Sequence, residues 1–534
     1  MPEAPTISVP TRTHVPLSRD AMAICVILLA TVVFRITSFV PAVVDTDEGL
    51  FMVQAREFLN GGWPLVAAWD MHPIGAPVLF AIAFLLFGVS VEAARLLGMI
   101  CVGATGMALF AAVRAVGAPR AIGLGAGVLY AAQSVLLSGL TTSTELLIAP
   151  FVTGAMAIGF RATMRAMRPD PAPPGFGAVV AAGLLIGCTL LIKQVSAPEG
   201  CLVFTLLVLP ALVRRVLTIR QALVMALLYT LLCATPFLVA GFAYWTQGWL
   251  DQYLDGSILA PFRYSLERIA GQEALRRTLA AMTSLGFGFL SAAIAIAAWR
   301  PAEAARPVAL LAAFAVLWFI VAWAAIAGPG FYFAHYFLLW LPPLSILAAI
   351  GAWRVALVFA RPGTTRIAYA GLVGMIALNA WLTELETRFE RGPGWMIRDP
   401  VREVGAAVAR AAGPDGDAFV ANYHPTVYIL SGARLSTRFP FPAHLTGNFE
   451  DLSDTNTLVE LDRVLASRPR VIVVDRGWMH NMRSEAASRV LAAIEQGYEL
   501  FATIVEYRGP VEVWRRKDGG QGAGNSAEER PVSQ

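Results

Sequence analysis

Long apolar runs separated by short polar stretches fill the first 390 residues of the chain. Their approximate limits are 21–40, 73–88, 91–113, 121–140, 145–160, 177–192, 197–213, 222–244, 279–299, 308–327, 333–351 and 367–382. Most approach the roughly 20 residues that cross a bilayer as a helix. The composition agrees, because 57% of the residues are hydrophobic and only 15% are charged, against roughly a quarter charged in soluble proteins. The pattern predicts a polytopic α-helical membrane protein.

Arginines in the short loops favour one arrangement of these runs. The loops with arginines hold Arg114 and Arg120; Arg161, Arg165 and Arg168; Arg214, Arg215 and Arg220; Arg300 and Arg306; Arg354, Arg361 and Arg366. Such loops face the cytoplasm, as does the N-terminal segment 1–20 with its own arginines. All of them reach the same side only if run 73–88 does not cross the membrane, which leaves about eleven spans. The loop 263–277, with four arginines, is the one exception.

The chain divides into four regions on this pattern. A transmembrane domain is predicted over 21–389, and its first outer loop over 41–90. Residues 390–517 alternate helical and strand-like patterns and predict a small soluble α/β domain on the outer side of the membrane. The tail, 518–534, is rich in glycine and polar residues and is predicted to be disordered.

Ionisable residues gather at one face under this topology. They are Asp45, Asp47, Glu48, His72, Glu145, Lys193 and His335. Charged groups near a bilayer are costly and commonly mark a functional site. If run 73–88 crossed the membrane, the last three would lie on the opposite side from the others. The arrangement that satisfies the loop arginines therefore also collects one candidate site.

The first outer loop has the densest cluster of acids. Helix-compatible sequence runs from Asp47 to Leu59 and ends at Asn60-Gly61-Gly62. Asp47 and Glu48 then lie at a helix N-terminus, where backbone amides can orient an anion. An acidic cap on an amphipathic surface helix is the structural alternative.

The same loop resembles that of a known group of enzymes. The pattern D-E-G-x-F-x-x-x-A-R-E-x-L-x-G-G-W, followed by H-P-x-x-A-P, is similar to the first outer loop of the glycosyltransferase C superfamily. The nearest branches are the protein O-mannosyltransferase-like (dolichyl-phosphate-mannose-protein mannosyltransferase) and lipid A aminoarabinose transferase-like enzymes. Their Lys-Pro or His-Pro-Pro motif appears here as His72-Pro73-Ile74, without the second proline.

Less specific matches extend the resemblance along the chain. Glu145 stands at the second acidic position of the family, and Lys193 ends a Gly-x(n)-Lys segment, 184–194. The segment from His335 to Gly351 is similar to a late span of the family. A soluble C-terminal domain on the outer side is also typical of these enzymes.

The resemblance implies an inverting glycosyltransferase of the bacterial inner membrane. A sugar would pass from a polyprenyl-phosphate donor to an envelope acceptor, whether lipid, glycan such as lipopolysaccharide, or protein. Asp47 is the predicted base that accepts the acceptor's proton, and Glu48 orients it or the acceptor. The predicted donor-phosphate or acceptor contacts are Asp45, Arg56, His72, Glu145, Lys193 and His335.

Each of these residues also has a structural interpretation. Lys193 at a helix end can extend its ammonium group to the interface, Glu145 can cap a helix, and Asp45 and Arg56 can face water. His335 can be an ordinary interfacial histidine. Three acids and a histidine can hold a divalent metal, although the resembling branches mostly lack an obligatory one, so no cofactor is assigned.

Two other functions compete with the transferase. The ionisable groups could line the path of a transporter or flippase of lipid-linked sugars, or the C-terminal domain could serve a non-catalytic envelope scaffold. Transporters commonly contain repeats, and the sequence shows none. The expected partners are the lipid-linked donor, the envelope acceptor and the lipid bilayer, with no nucleic acid.

Overall fold

The computed structural model describes residues 18–297, 306–361, 363–390, 399–449 and 451–517. The predicted tail 518–534, and all but the last three residues of the predicted cytoplasmic segment 1–20, lie outside the described residues.

Helices make up the part of the chain that carries the apolar runs. They are α1 Arg19–Arg35, α2 Asp47–Leu59, α3 Gly75–Phe87, α4 Val91–Ala115, α5 Arg120–Gln133, α6 Thr144–Ala166, α7 Phe176–Ile192, α8 Ala197–Val213, α9 Ile219–Thr246, α10 Leu250–Leu254, α11 Ala260–Leu266, α12 Gly271–Ser284, α13 Gly286–Ala297, α14 Arg306–Ala327, α15 Leu341–Phe359 and α16 Thr365–Glu390. Short 3₁₀ turns precede α8 and α15, at Gln194–Ser196 and Ala334–Trp340.

Eight spans in the described ranges are long and apolar enough to cross a membrane. A ninth arises if α12 and α13, which are bent by 85° at their junction, count as one broken span. The fold class predicted from the sequence, a polytopic helical membrane protein, is confirmed. The expected number of about eleven included runs that the chain builds as shorter helices, α5 with 14 residues and α7 with 17.

Helix α3 covers the apolar run 73–88 with 13 residues. At 1.5 Å per residue it is roughly 20 Å long, shorter than the roughly 30 Å hydrocarbon core. Its length agrees with the prediction that this run does not cross the membrane.

Two buried arginines explain why α5 can end early. Beyond Gln133 the backbone turns until Thr144 begins α6, and its carbonyl groups need donors. Arg35 donates to the carbonyl oxygens of Gly139 and Leu140 at 2.7 and 3.1 Å, and Arg95 donates to that of Leu140 at 2.8 Å. Both arginine side chains are fully buried. The guanidinium groups therefore replace the hydrogen bonds that a longer helix would have supplied.

The C-terminal region forms a five-stranded mixed sheet with helices. The helices are α17 Pro400–Ala412, α18 Thr426–Ser431, α19 Thr457–Ala466 and α20 Ser484–Gly497; the strands are β1 Asp417–Val420, β2 Arg434–Leu435, β3 Val471–Asp475, β4 Tyr498–Glu506 and β5 Gly509–Arg516. The order is β2-β1-β3-β5-β4, with β2, β1 and β3 parallel and β5 antiparallel to β3 and β4. Helices and strands alternate along this region, as its sequence pattern predicts.

The C-terminal domain packs directly on α2. A Cβ atom added at Gly49 would lie 2.6 Å from the hydroxyl oxygen of Thr426 and 2.7 Å from its backbone nitrogen. Arg56, about two turns further along, donates to the carbonyl oxygens of Tyr428 and Ala433 at 2.7 and 3.1 Å. The helix that begins with the acidic pair is therefore held between the apolar domain and the soluble domain.

We expect Gly49→Ala to destabilise this contact, because the backbone of α18 has to move to admit a methyl group. Overpacking of this kind costs about 1–3 kcal/mol. Thermal unfolding of the detergent-solubilised protein should show a lower midpoint. Gly374→Ala in α16, where nothing lies within 4 Å of the added Cβ, is the matched control. Equal midpoints for the two variants would contradict the close packing of α2 on α18.

Candidate active site

Helix α2 presents its carboxylates where the first outer loop meets the helix ends. Its first residues are Asp47 and Glu48, as the sequence predicts. The backbone N–H of Asp47 donates to Oδ1 of Asp45 at 3.2 Å. This contact turns the chain so that the side chains of Asp45 and Asp47 lie on the same side.

His335, from the turn before α15, lies against both aspartates. Its Nδ1 is 3.1 Å from Oδ2 of Asp45, and its Nε2 is 3.7 Å from Oδ2 of Asp47. The Asp47 side chain remains 39% exposed, whereas that of His335 is only 10% exposed. His335 thus fixes the position of the aspartates, and Asp47 keeps an accessible oxygen.

The pKa values of the two aspartates are shifted in opposite directions. Burial and the adjacent Asp45 carboxylate raise the pKa of Asp47 to about 6. Burial also opposes ionisation of Asp45, but His335 outweighs it and holds the pKa of Asp45 below its usual value. A carboxylate with a pKa closer to neutrality is better matched to accepting a proton than an ordinary aspartate.

Glu48 lies in a different environment from Asp47. It is 2% exposed; its Oε2 is 2.9 Å from Nη2 of Arg95, and its Oε1 accepts from the backbone N–H of Thr142 at 2.7 Å. Both carboxylate oxygens are thus engaged. Through these contacts Glu48 holds the start of α2 against Arg95 and Thr142.

Glu145 and Lys193 form a second buried ion pair. Lys193 follows α7, and its Nζ lies 2.7 Å from Oε1 of Glu145 at the start of α6. The same ammonium group lies 4.4 Å from the centre of the Tyr336 ring. A lysine that extends to the interface would be exposed, but this one is 6% exposed. Lys193 therefore points into the protein.

His72 is paired with an acid that the sequence analysis did not single out. Its Nδ1 is 2.9 Å from Oδ2 of Asp70, which is 1% exposed. The only sequence signal is the Asp-x-His spacing, which is too common to be informative alone. The structure brings His72 to the wall of the same cavity as Lys193.

Arg56 is the predicted site residue that the structure separates from the others. Its guanidinium group pairs with Glu57 and donates to carbonyl oxygens of the C-terminal domain. The domain contact accounts for its position, since α2 turns this residue away from the Asp47 side. Arg263, in the exceptional arginine loop, likewise contacts Asp255 and the carbonyl oxygen of Leu452.

A largely apolar cavity of about 590 Å³ adjoins the ion pairs. Its polar lining includes His72, Lys193, Gln194, Tyr264 and Tyr336. Its apolar lining comes from several helices and includes Leu190, Ala234, Phe237, Leu238, Phe262 and Ala325. Leu238 and Phe262 are more than 60% exposed, so the cavity extends from the exposed apolar surface to the buried cations.

A second cavity, of about 390 Å³, is lined by residues that flank the aspartates and His335 in the sequence. Val44 precedes Asp45, and Ala334 precedes His335. Its lining is more mixed and includes Ser138, Arg277, Ser284, Thr383 and Thr387. A narrow crevice between the cavities is lined by Asp45, Asp47, Glu48, Glu145 and His335.

Asp45, Asp47 and His335 also meet a basic condition for holding a metal ion. Each offers one ligand atom, and these atoms lie within 4.8 Å of one another. Two carboxylates and an imidazole are an ordinary ligand set for a divalent cation.

Comparison with known proteins places the fold. No family model matches the chain. No curated protein sequence matches it. Among solved structures, ArnT from Cupriavidus metallidurans bound to undecaprenyl phosphate superposes with a TM-score of 0.59 at 16% identity, over 93% of this chain and 98% of that one. ArnT in the apo state gives 0.56 at 16% identity, over 92% and 97%.

A more distant match is the oligosaccharyltransferase AglB from Archaeoglobus fulgidus, in complex with an inhibitory peptide and a dolichol-phosphate. Its TM-score is 0.48 at 13% identity, over 93% of this chain and 74% of that one. The ArnT superposition shows that the two chains share a fold over most of their lengths.

We expect Glu48→Gln to destabilise the protein more than Asp47→Asn does. Removing the Glu48 charge leaves Arg95 buried without its partner, which costs about 3–5 kcal/mol. The Asp47 side chain is partly exposed, so its amide variant should unfold close to the wild-type midpoint. Thermal unfolding in one detergent makes the comparison, and a Glu48→Gln midpoint equal to that of Asp47→Asn would contradict the structural role of Glu48.

Proposed function

We propose that a protein with this fold and site transfers a sugar from a polyprenyl-phosphate donor to an acceptor at a membrane surface. The structural neighbour ArnT was solved with undecaprenyl phosphate bound. Such a ligand has a long apolar chain and an anionic head. The present chain offers both matching environments next to two carboxylates.

The observation that carries the proposal is the ion pair that joins a wall of the 590 Å³ cavity to a wall of the acidic crevice. The cavity is apolar along most of its wall and basic where His72 and Lys193 line it. Lys193 lines the cavity, and its ion-pair partner Glu145 lines the crevice. A lipid phosphate in the cavity would meet the cations and bring the sugar bonded to it towards Asp47.

The proposed reaction uses Asp47 as the base. The acceptor hydroxyl or amine attacks the anomeric carbon, its proton passes to Asp47, and the bond from that carbon to the phosphate oxygen breaks. The electron pair leaves with the polyprenyl phosphate, whose developing charge the cations stabilise. Attack opposite to the leaving group inverts the anomeric centre.

The supporting groups keep Asp47 in its role. His335 holds Asp45 in place. The Asp45 carboxylate disfavours a second negative charge in the crevice, and this favours a proton on Asp47 after transfer. Glu48 fixes the N-terminus of α2 through Arg95. Of the two adjacent acids, Asp47 thus has the chemical role and Glu48 has the structural role.

The 390 Å³ cavity is the proposed approach of the acceptor. It adjoins the Asp45 and His335 segments on residues that the first cavity does not share. Its mixture of hydroxyl groups and the Arg277 cation suits an amphipathic envelope acceptor, such as a glycan, a lipid or a protein segment. The proposed transferred sugar is a hexose or a pentose.

The proposed location is the bacterial inner membrane, with the site and the C-terminal domain on the periplasmic side. The arginine distribution supports this orientation, since the arginine-rich loops would then be cytoplasmic. The proposed extents are 21–389 for the transferase domain and 390–517 for the soluble domain. The contacts of α18 with α2 support a role for the soluble domain in holding the site.

A divalent cation is a second candidate participant. Asp45, Asp47 and His335 would hold it, and it would supply Lewis-acid stabilisation of the donor phosphate when bound. The close approach of their ligand atoms is the supporting observation.

Ala234→Trp should test the lipid cavity directly. Ala234 lines the cavity from α9, and an indole there would occupy space that the polyprenyl chain needs. We expect binding of undecaprenyl phosphate, measured by native mass spectrometry in detergent, to weaken about tenfold or more. Leu227→Trp, on an exposed part of α9 outside the cavity lining, should bind normally. Normal binding by the Ala234 variant would contradict this location of the donor.

A further inference from the structure

Asp70 and His72 form a carboxylate–imidazole pair at the wall of the lipid cavity. Oδ2 of Asp70 accepts from Nδ1 of His72 at 2.9 Å, and Oδ1 accepts from the backbone N–H of Met71 at 2.7 Å. Asp70 is 1% exposed, whereas the His72 side chain is 18% exposed. The acid therefore lies behind the histidine and is shielded from the cavity.

The geometry leaves one nitrogen of His72 for a ligand. Nδ1 is occupied by Asp70, which does not line the cavity, whereas His72 does. Within the part of the chain that the structure describes, Nε2 makes no hydrogen bond, and Phe51 packs edge-on against the ring with centroids 6.0 Å apart. The free nitrogen is thus on the cavity side of a ring whose orientation is fixed.

The protonation state of the His72 ring determines whether Nε2 can donate a hydrogen bond to a phosphate. A neutral imidazole that donates from Nδ1 presents a lone pair at Nε2, which would repel a phosphate, whereas the protonated ring donates from both nitrogens. A buried carboxylate stabilises that positive ring. Although burial opposes ionisation, His72 holds the pKa of Asp70 below its usual value, so the acid retains its charge.

The backbone that precedes Asp70 is held by other elements. Gln54 of α2 donates to the carbonyl oxygen of Ala68 at 3.1 Å, and Trp69 N–H donates to that of Arg438 at 2.6 Å. His444 of the C-terminal domain packs against Trp69 with ring centroids 5.0 Å apart. Burial lowers the pKa of His444 to about 4, so this neighbour is neutral and adds no competing cation.

We propose that Asp70 is a positioning residue that holds His72 as a charged donor, with Nε2–H directed at the phosphate of the lipid-linked donor. This inference rests on the proposed function and adds a residue to its donor site. Asp70 acts only through His72. In the reaction it takes no proton, because the acceptor's proton goes to Asp47 and the C–O electron pair leaves with the phosphate.

The first test measures binding without any need for turnover. Asp70→Asn should weaken binding of undecaprenyl phosphate about 5- to 50-fold in native mass spectrometry, while binding of the uncharged undecaprenol changes less than twofold. Asp251→Asn, an exposed acid on α10, is the matched control. Equal loss for both lipids would show that Asp70 only maintains the fold, and unchanged binding of both would show that it does nothing for the phosphate.

The second test asks whether Asp70 acts through His72. In a His72→Ala background, Asp70→Asn should change undecaprenyl phosphate binding less than twofold, because the group that it positions is gone. An undiminished effect in that background would overturn the proposal. These outcomes are distinguishable from failure of the proposed function, since a wild-type protein that binds neither lipid would contradict the donor site itself.

Discussion

The buried ion pair between Glu48 and Arg95 is the interaction on which the site depends. It joins the first outer loop to α4, and Arg95 also binds the turn that precedes α6. Thr142 of that turn returns a backbone hydrogen bond to Glu48. A desolvated pair such as this contributes little net stability, but losing one partner is costly. The start of α2, and with it Asp47, therefore has one low-energy position.

The same principle recurs in the other charged groups of the site. Each basic side chain that lines the larger cavity has a carboxylate beside it, Lys193 with Glu145 and His72 with Asp70. A neighbouring carboxylate lowers the cost of a positive charge next to an apolar wall, where isolated charges are expensive. Asp47 is less well paired than these acids. The nearest basic group, His335, is 3.7 Å away and also contacts Asp45. The weakly compensated carboxylate is the one with the raised pKa and the accessible oxygen.

Local sequence was sufficient to predict some parts of this arrangement. The start of α2 at Asp47 and its end at Leu59 follow from the acidic pair and from Asn60-Gly61-Gly62. The arginine pattern of the loops predicted that Asp45, Lys193 and His335 share one end of the helices, and the structure brings them together. Asp70 was not predicted as a site residue, because no local sequence feature distinguishes it. Its hydrogen bond to His72 is evident only in the structure.

Long-range contacts account for what the sequence could not predict. Arg56 stands in the family-like motif, yet its partners are carbonyl groups more than 370 positions away. The early end of α5 depends on Arg35 from α1 and Arg95 from α4, because their guanidinium groups donate to carbonyl oxygens of the turn that follows. β4 carries many exposed side chains, whereas every residue of β3 is buried, so the apolar pattern of β4 is weaker in the sequence.

The central claim is that Asp47 promotes sugar transfer from a lipid-linked donor. The most direct measurement compares lipid-linked sugars and envelope glycans by mass spectrometry in a strain lacking this protein, complemented with wild type or Asp47→Asn. We predict that one sugar disappears from its acceptor, that its polyprenyl-phosphate donor accumulates, and that only wild type restores both. Full restoration by an equally abundant Asp47→Asn variant would contradict the account and would favour transport or scaffolding.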